Sequence, residues 1–91
     1  MTAFMYYFSD AEKYGPEAVK DVFNKAFKEL KKDVASFSEF ARTISIKAWA
    51  WSGTDNELAY VYESLWEKAD NYAMTHFKGT DLKYYMEMVE Q

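Results

Sequence analysis

Apolar side chains recur at helical spacing along most of this chain. Three long segments, residues 16–32, 36–52 and 55–77, place them at steps of three and four residues, which is the spacing of one face of an α-helix. The positions on these stripes are Val19, Val22, Phe23, Ala26, Phe27 and Leu30, then Phe37, Phe40, Ala41, Ile44, Ala48 and Trp51, and then Leu58, Val61, Tyr62, Leu65, Ala69, Tyr72, Ala73 and His76. The pattern predicts three long helices that each bury one face.

Turn and capping residues separate these segments. Pro16 is predicted at a first helical position, where the missing N–H would have no partner in any case. Residues 54–57 (TDNE) predict a capping box, in which the Thr54 hydroxyl and the Glu57 carboxylate satisfy reciprocal backbone donors. Gly79 suits a left-handed residue at a helix end. Together these residues predict where the long helices begin and end.

A short last helix is predicted over about residues 81–90, with Thr80 as its cap. Its apolar side consists of Leu82, Tyr85, Met86 and Val89. Because Tyr84 and Tyr85 are adjacent, one of the two rings must face away from the core.

Two segments also fit β-strands. Residues 43–51 (TISIKAWAW) alternate and are rich in β-branched and aromatic side chains, and residues 3–8 (AFMYYF) form a short aromatic run. Helix is favoured over residues 43–51 because the helical stripe extends over more residues than the alternation does. Helix is also favoured over residues 3–8, because Phe4, Tyr7, Phe8 and Ala11 fit helical spacing. The chain, residues 1–91, is therefore predicted to form a single all-α domain, a compact bundle of four to five helices. Strands at these two segments remain the alternative.

Composition argues against catalysis and metal binding. The chain has one histidine and no cysteine, whereas zinc and redox metals need several such ligands. His76 lies near the end of a predicted helix, where packing or capping accounts for it without a catalytic role. No phosphate-binding glycine loop and no Ser-His-Asp arrangement occurs in the sequence. We therefore expect a protein that is not an enzyme and has no cofactor.

The net charge of −4 is unevenly distributed. Residues 1–51 carry eight basic and seven acidic side chains, and residues 52–91 carry three and eight. The acidic half predicts a partner with a basic surface. Five lysines cluster on the predicted helix over residues 16–32, the second helix if residues 3–8 form the first: Lys20, Lys25, Lys28, Lys31 and Lys32. Interleaved acids predict pairing at four-residue steps, so a nucleic-acid-binding module that uses this helix is the alternative rather than the main hypothesis.

Aromatic side chains are in surplus and supply the best functional hypothesis. Phe, Tyr and Trp make up 20% of the chain, and such rings provide many of the energetic hot spots of protein interfaces. Trp49 and Trp51 cannot both lie at the middle of one stripe. Six residues are predicted to contact a partner. Four lie on the predicted helix over residues 55–77, opposite its apolar stripe, and two lie on the last helix. They are Tyr60, Glu63, Glu67, Asp70, Tyr84 and Glu87.

Residues 76–85 (HFKGTDLKYY) resemble the short third-helix region of colicin-DNase immunity proteins. In that family a tyrosine pair after Gly-Ser-Asp-Leu contacts the toxin, and the proteins are small, acidic and all-helical. The resemblance implies a binding role for Tyr84 and Tyr85. It covers ten residues, lacks the proline that follows the tyrosines in that family, and assigns no family to this chain.

The sequence as a whole predicts a small acidic protein-binding module, a non-enzymatic inhibitor or accessory factor of the kind that phages and mobile elements encode. A structural homo-oligomer is a further alternative. The first residues lack the features of a signal peptide, and no run of about 18 apolar residues occurs. We therefore expect a cytoplasmic protein with no membrane association.

Overall fold

Five helices follow one another along the part of the chain that the structure describes, residues 3–90 of a computed structural model. Helices account for 84% of these residues, which contain no strand. The predicted all-α bundle is therefore confirmed. The helices are α1 (Ala3–Glu12), α2 (Pro16–Leu30), α3 (Val34–Trp51), α4 (Asn56–His76) and α5 (Thr80–Val89).

Both ambiguous segments are helical. Residues 3–8 lie in α1 and residues 43–51 lie in the second half of α3. Tertiary contacts explain the outcome, because Phe8 and Ile44 are fully buried at helical spacing from Ala11 and Phe40. A strand would have turned alternate residues of each segment away from the core, so the strand alternative is wrong.

Two of the three long helices begin at an aspartate cap, and the third begins at a proline without a side-chain cap. Pro16 opens α2, as predicted. Asp33 caps α3, where its carboxylate accepts hydrogen bonds from the backbone N–H groups of Ala35 and Ser36 at 3.1 and 3.3 Å. A carboxylate is well suited to this position because it is a strong acceptor that also complements the positive end of the helix dipole.

The predicted capping box at Thr54 is wrong by one residue. Asp55 is the cap of α4, and its Oδ1 accepts from the N–H groups of Glu57 and Leu58, both at 3.1 Å. An ionised carboxylate makes stronger hydrogen bonds than a hydroxyl, which favours Asp55 over Thr54 for the backbone donors.

The predicted roles of Gly79 and Thr80 are also wrong. Helix α4 ends at His76, and Phe77 follows in an extended conformation, so Gly79 is not its left-handed cap. Gly79 instead precedes α5 with φ +60° and ψ −128°, a conformation that glycine adopts easily because it has no Cβ. Thr80 is the first residue of α5 and makes no capping hydrogen bond.

The core centres on α3, which contacts each of the other four helices. Phe37, in the first turn of α3, is fully buried, and its ring centroid lies 5.5 Å from that of Phe27 of α2, 5.4 Å from that of Tyr72 of α4 and 5.6 Å from that of Phe77. The edge-on and tilted geometries are those that aromatic pairs prefer. The radius of gyration, 12.5 Å, is close to the ~12 Å expected of a compact domain of this length.

Two residues of the predicted apolar stripes are exposed rather than buried. His76 is exposed at the end of α4, and Met86 is exposed on α5. Ala73 and Tyr85, which precede them by three residues and by one residue, are fully buried. The remaining stripe positions of α3 and α4 are buried or half-buried, as predicted.

A buried polar cluster joins α1 to α3 and α4. The Glu12 carboxylate accepts from the Lys47 ammonium at 3.1 Å, the Trp51 Nε1–H at 2.9 Å and the Tyr62 hydroxyl at 2.5 Å. Burial, together with the Glu12 carboxylate, raises the pKa of Tyr62 far above its usual range. Since a buried charge must be paired and hydrogen-bonded, the cluster holds the end of α1 in one place.

None of the helices in residues 3–90 combines the length and the hydropathy needed to cross a bilayer.

Candidate protein-binding surfaces

Three of the predicted contact residues form one exposed face of α4, which we call the acidic face: Tyr60, Glu63 and Glu67. Tyr60 is 73% exposed and both carboxylates are exposed. The three- and four-residue steps between them align the side chains along the helix. Neither carboxylate forms an ion pair with any residue in the range 3–90, so both charges are available to a partner.

Asp70 does not share the exposure of the acidic face, and in that respect the prediction is wrong. Its carboxylate is half-buried and accepts a hydrogen bond from the Tyr85 hydroxyl at 2.8 Å. Burial raises the pKa of Tyr85 above its usual range, and the Asp70 carboxylate raises it further. The hydrogen bond between Tyr85 and Asp70 therefore links α5 to α4. It uses one of the two carboxylate oxygens of Asp70.

The tyrosine pair of α5 is divided between core and surface. Tyr85 is fully buried and Tyr84 is 41% exposed, which confirms that one ring faces away from the core. Glu87 lies three residues after Tyr84 and is exposed. We call Tyr84 and Glu87 the α5 pair.

The lysines of α2 do not form a continuous basic surface. Lys20, Lys25 and Lys28 are exposed, but Asp21 and Glu29 are exposed on the same helix. Within the described residues α2 has one ion pair, Lys20 with Glu17 at 3.2 Å. It spans three residues rather than the predicted four. Lys31 and Lys32 follow the end of the helix.

His76 packs on the surface of its own helix. Its ring is stacked on Tyr72 with centroids 4.1 Å apart, and its Nδ1 lies 3.0 Å from the Tyr72 carbonyl oxygen. In residues 3–90 no group of three or more His, Cys, Asp or Glu side chains is placed to hold a metal ion.

The sequence did not predict a groove of about 520 Å³ between α1 and α2, which we call the α1–α2 groove. The floor is apolar and consists of buried and half-buried side chains: Phe4, Ala11, Ala18, Val22, Ala26 and Leu30. The rim consists of exposed side chains: Tyr7, Asp10, Tyr14, Asp21, Lys25 and Glu29.

Small side chains and an over-wide stripe create the groove. Ala11, Ala18 and Ala26 leave space between the two helices. On α2, Val19 and Phe23 turn into the core, whereas the row of Val22, Ala26 and Leu30 is only half-buried. The signal was present in the sequence, because the α2 stripe is wider than one packing interface requires.

Surplus rings lie elsewhere on the surface as well. Trp49 is exposed, whereas Trp51 is half-buried and bonded to Glu12. Tyr6 is 67% exposed and does not line the α1–α2 groove.

Comparisons with models of protein families, with curated proteins and with solved structures find no match to this chain.

Proposed function

We propose that this chain is a protein-binding module without enzymatic activity, an inhibitor or accessory factor of the kind that phages and mobile elements encode. It binds a protein partner with a basic surface through the acidic face, together with the α5 pair. The observation that carries this proposal is the exposure of the Tyr60 ring beside two carboxylates that have no counter-ion among the described residues.

The chemistry of the acidic face fits this role. Tyrosine supplies a rigid ring and a hydroxyl at a small cost in conformational entropy, and it is enriched at interface hot spots. The Glu63 and Glu67 carboxylates attract a cationic surface and accelerate encounter. An inhibitor needs no catalytic group, because covering a basic functional surface of the partner is sufficient.

Nucleic-acid binding receives less support. The exposed lysines of α2 alternate with Asp21 and Glu29, so phosphates on that face would meet carboxylates as well as ammonium groups. Affinity for nucleic acid depends on the net number of phosphates that are neutralised.

The proposal is tested by affinity capture with parent and variant chains as bait, in lysate of the organism that encodes the chain. Tyr60→Ala and the double variant Glu63→Lys/Glu67→Lys disrupt the acidic face. Tyr6→Ala, which removes an exposed tyrosine of α1 outside both the acidic face and the α1–α2 groove, is the matched control. We expect a protein with a basic surface that the parent and the control retain and both acidic-face variants lose.

Titration of the recovered protein gives the magnitude. Tyr60→Ala is expected to weaken binding by about 2 kcal/mol, roughly 30-fold, if the ring is a hot spot. The proposal fails if the acidic-face variants capture the same proteins as the parent. It also fails if the captured material is nucleic acid that Lys28→Glu releases.

A further inference from the structure

The α1–α2 groove is an apolar surface that no helix in residues 3–90 covers. Its floor follows α2 from Ala18 to Leu30 at four-residue steps, a distance of about 18 Å at 1.5 Å per residue. On the other wall, Phe4, Tyr7 and Ala11 continue the surface along α1. A groove of this length matches a helix of about three turns, whose side chains can pack between those of α1 and α2.

Two tyrosine rings lie on the rim of the groove. Tyr7 and Tyr14 are exposed, and both line the groove, Tyr7 on α1 and Tyr14 in the turn that follows α1. A bound helix would cover both rings and bury its own apolar side chains against the alanines of the floor. Such recognition of an amphipathic helix by a hydrophobic groove is one of the common modes of peptide binding.

The charges on the rim favour a bound helix that is positively charged. Asp10, Asp21 and Glu29 face a single ammonium group, that of Lys25. The two ion pairs among the described residues use none of these four side chains. A second copy of this chain would bring the same three carboxylates against one another, and like charges at an interface are costly. A cationic helix would neutralise them.

We infer that the α1–α2 groove binds a cationic amphipathic helix of about three turns from a protein partner, with apolar side chains on the floor and Lys or Arg side chains against the rim. This site is separate from the acidic face. The inference stands whether or not the acidic face binds a partner.

The test uses the full chain and a labelled helical peptide of about 14 residues, enough to span the floor. Leucines occupy one face of the peptide and lysines occupy the other. A second peptide has the same leucines and glutamates in place of the lysines. Fluorescence anisotropy is expected to show saturable binding of the cationic peptide and at least about tenfold weaker binding of the anionic peptide, as expected when a like-charged rim opposes association.

Paired variants locate the binding site. Tyr7→Ala and Asp21→Lys are each expected to weaken binding of the cationic peptide about tenfold, the effect of losing an interface anchor or reversing an interface charge. Tyr6→Ala removes a neighbouring ring of similar exposure outside the groove and is expected to leave binding unchanged. Ala26→Leu fills the floor without introducing charge and is expected to block the peptide. Circular dichroism of each variant shows whether the helical fold is retained.

Several results would overturn the inference. The groove is not the site if the double variant Glu63→Lys/Glu67→Lys abolishes peptide binding while Tyr7→Ala and Ala26→Leu leave it intact. That result would support the acidic face instead. Equal binding of the two peptides would exclude selection by the rim charges. If sedimentation shows a dimer that Ala26→Leu dissociates, the occupant is a second copy of this chain.

Discussion

The α1–α2 groove and the acidic face both combine tyrosine with carboxylates, but they differ in shape and in what lies beneath them. The groove is concave and has an apolar floor between two helices. The acidic face is a single row on one helix, and the core beneath it is already filled by Leu58, Leu65 and other side chains of the stripe. A partner can therefore bury apolar surface in the groove, whereas on the acidic face it meets mainly one ring and two charges.

This difference predicts different physics of binding at the two surfaces. Burial of apolar area contributes chiefly to the lifetime of a complex, and exposed charges act chiefly on the association rate. Tyrosines and carboxylates can thus form the rim of an apolar groove where a second helix lies beside them. On a single helix they act mainly by attracting a charged partner.

Lys47→Met is expected to lower the free energy of unfolding more than the other variants do. It removes an ion pair that holds the end of α1, the helix that forms one wall of the groove. The side chains of Lys47 and Glu12 are 12% and 10% exposed, and the variant leaves the Glu12 carboxylate without its counter-ion. Removing one partner of a buried ion pair costs about 3 kcal/mol or more. Urea denaturation at neutral pH measures the free energy of unfolding. Because Glu12 ends α1, we expect the variant to weaken peptide binding in the groove more than binding at the acidic face.

The control for this variant is Lys68→Met, which removes an exposed lysine of α4. We expect a change within about 0.5 kcal/mol, which is usual for surface substitutions. Equal stability of the two variants would show that the Trp51 and Tyr62 donors suffice to hold Glu12.

Tyr85→Phe tests the assignment of Asp70 to the fold rather than to the acidic face. It removes the hydroxyl that bonds Asp70, and we expect a loss of about 1 kcal/mol at neutral pH. The pKa of Tyr85 is raised in the folded state, so above pH ~10 the unfolded tyrosine ionises while the folded one stays neutral. The free energy of unfolding of the parent therefore falls as the pH rises through that range, and Tyr85→Phe has a shallower fall.

Denaturant midpoints between about pH 8 and pH 11 measure this slope, to which one tyrosine contributes at most about 1.4 kcal/mol per pH unit. Tyr84→Phe removes an exposed hydroxyl that has no hydrogen bond among the described residues, and it serves as the control. Identical profiles for Tyr85→Phe and the parent would contradict the assignment of Asp70 to the fold.

Variants of the two surfaces should change different rate constants of binding. Glu63→Lys/Glu67→Lys is expected to slow association with the captured partner by up to about tenfold and to flatten its salt dependence. Tyr7→Ala is expected to accelerate dissociation of the cationic peptide from the groove, with little change in its association rate. Surface plasmon resonance at two ionic strengths measures both. The comparison fails if the charge reversals act on dissociation alone.

His76→Gln is expected to have the smallest effect and to give a baseline for a change outside both surfaces. The ring stacks on Tyr72 but is exposed, so we expect a stability change within about 0.5 kcal/mol, as is usual for surface substitutions, and unchanged binding at both surfaces. Loss of binding with a native circular dichroism spectrum would assign His76 a role that packing does not explain.

The sequence by itself determined the helices, because the 3.6-residue period is a property of each segment alone. The stripes of α3 and α4 and the exposure of Tyr60, Glu63 and Glu67 follow from that period. The start of α2 follows from Pro16, because the missing N–H of proline suits a first helical position. Helix boundaries were less accurate. Two potential caps, Thr54 and Asp55, lie side by side, and only the folded backbone shows which of them faces the free N–H groups.

Tertiary structure decided everything that depends on two helices meeting. Asp70 has the same periodic position as the acidic face, but the approach of α5 brings the Tyr85 hydroxyl to it. Glu12 and Lys47 are 35 residues apart in the chain, and no local pattern indicates their pairing. The α1–α2 groove depends on how α1 and α2 pack, because periodicity specifies which face of a helix is apolar but not which neighbour covers it.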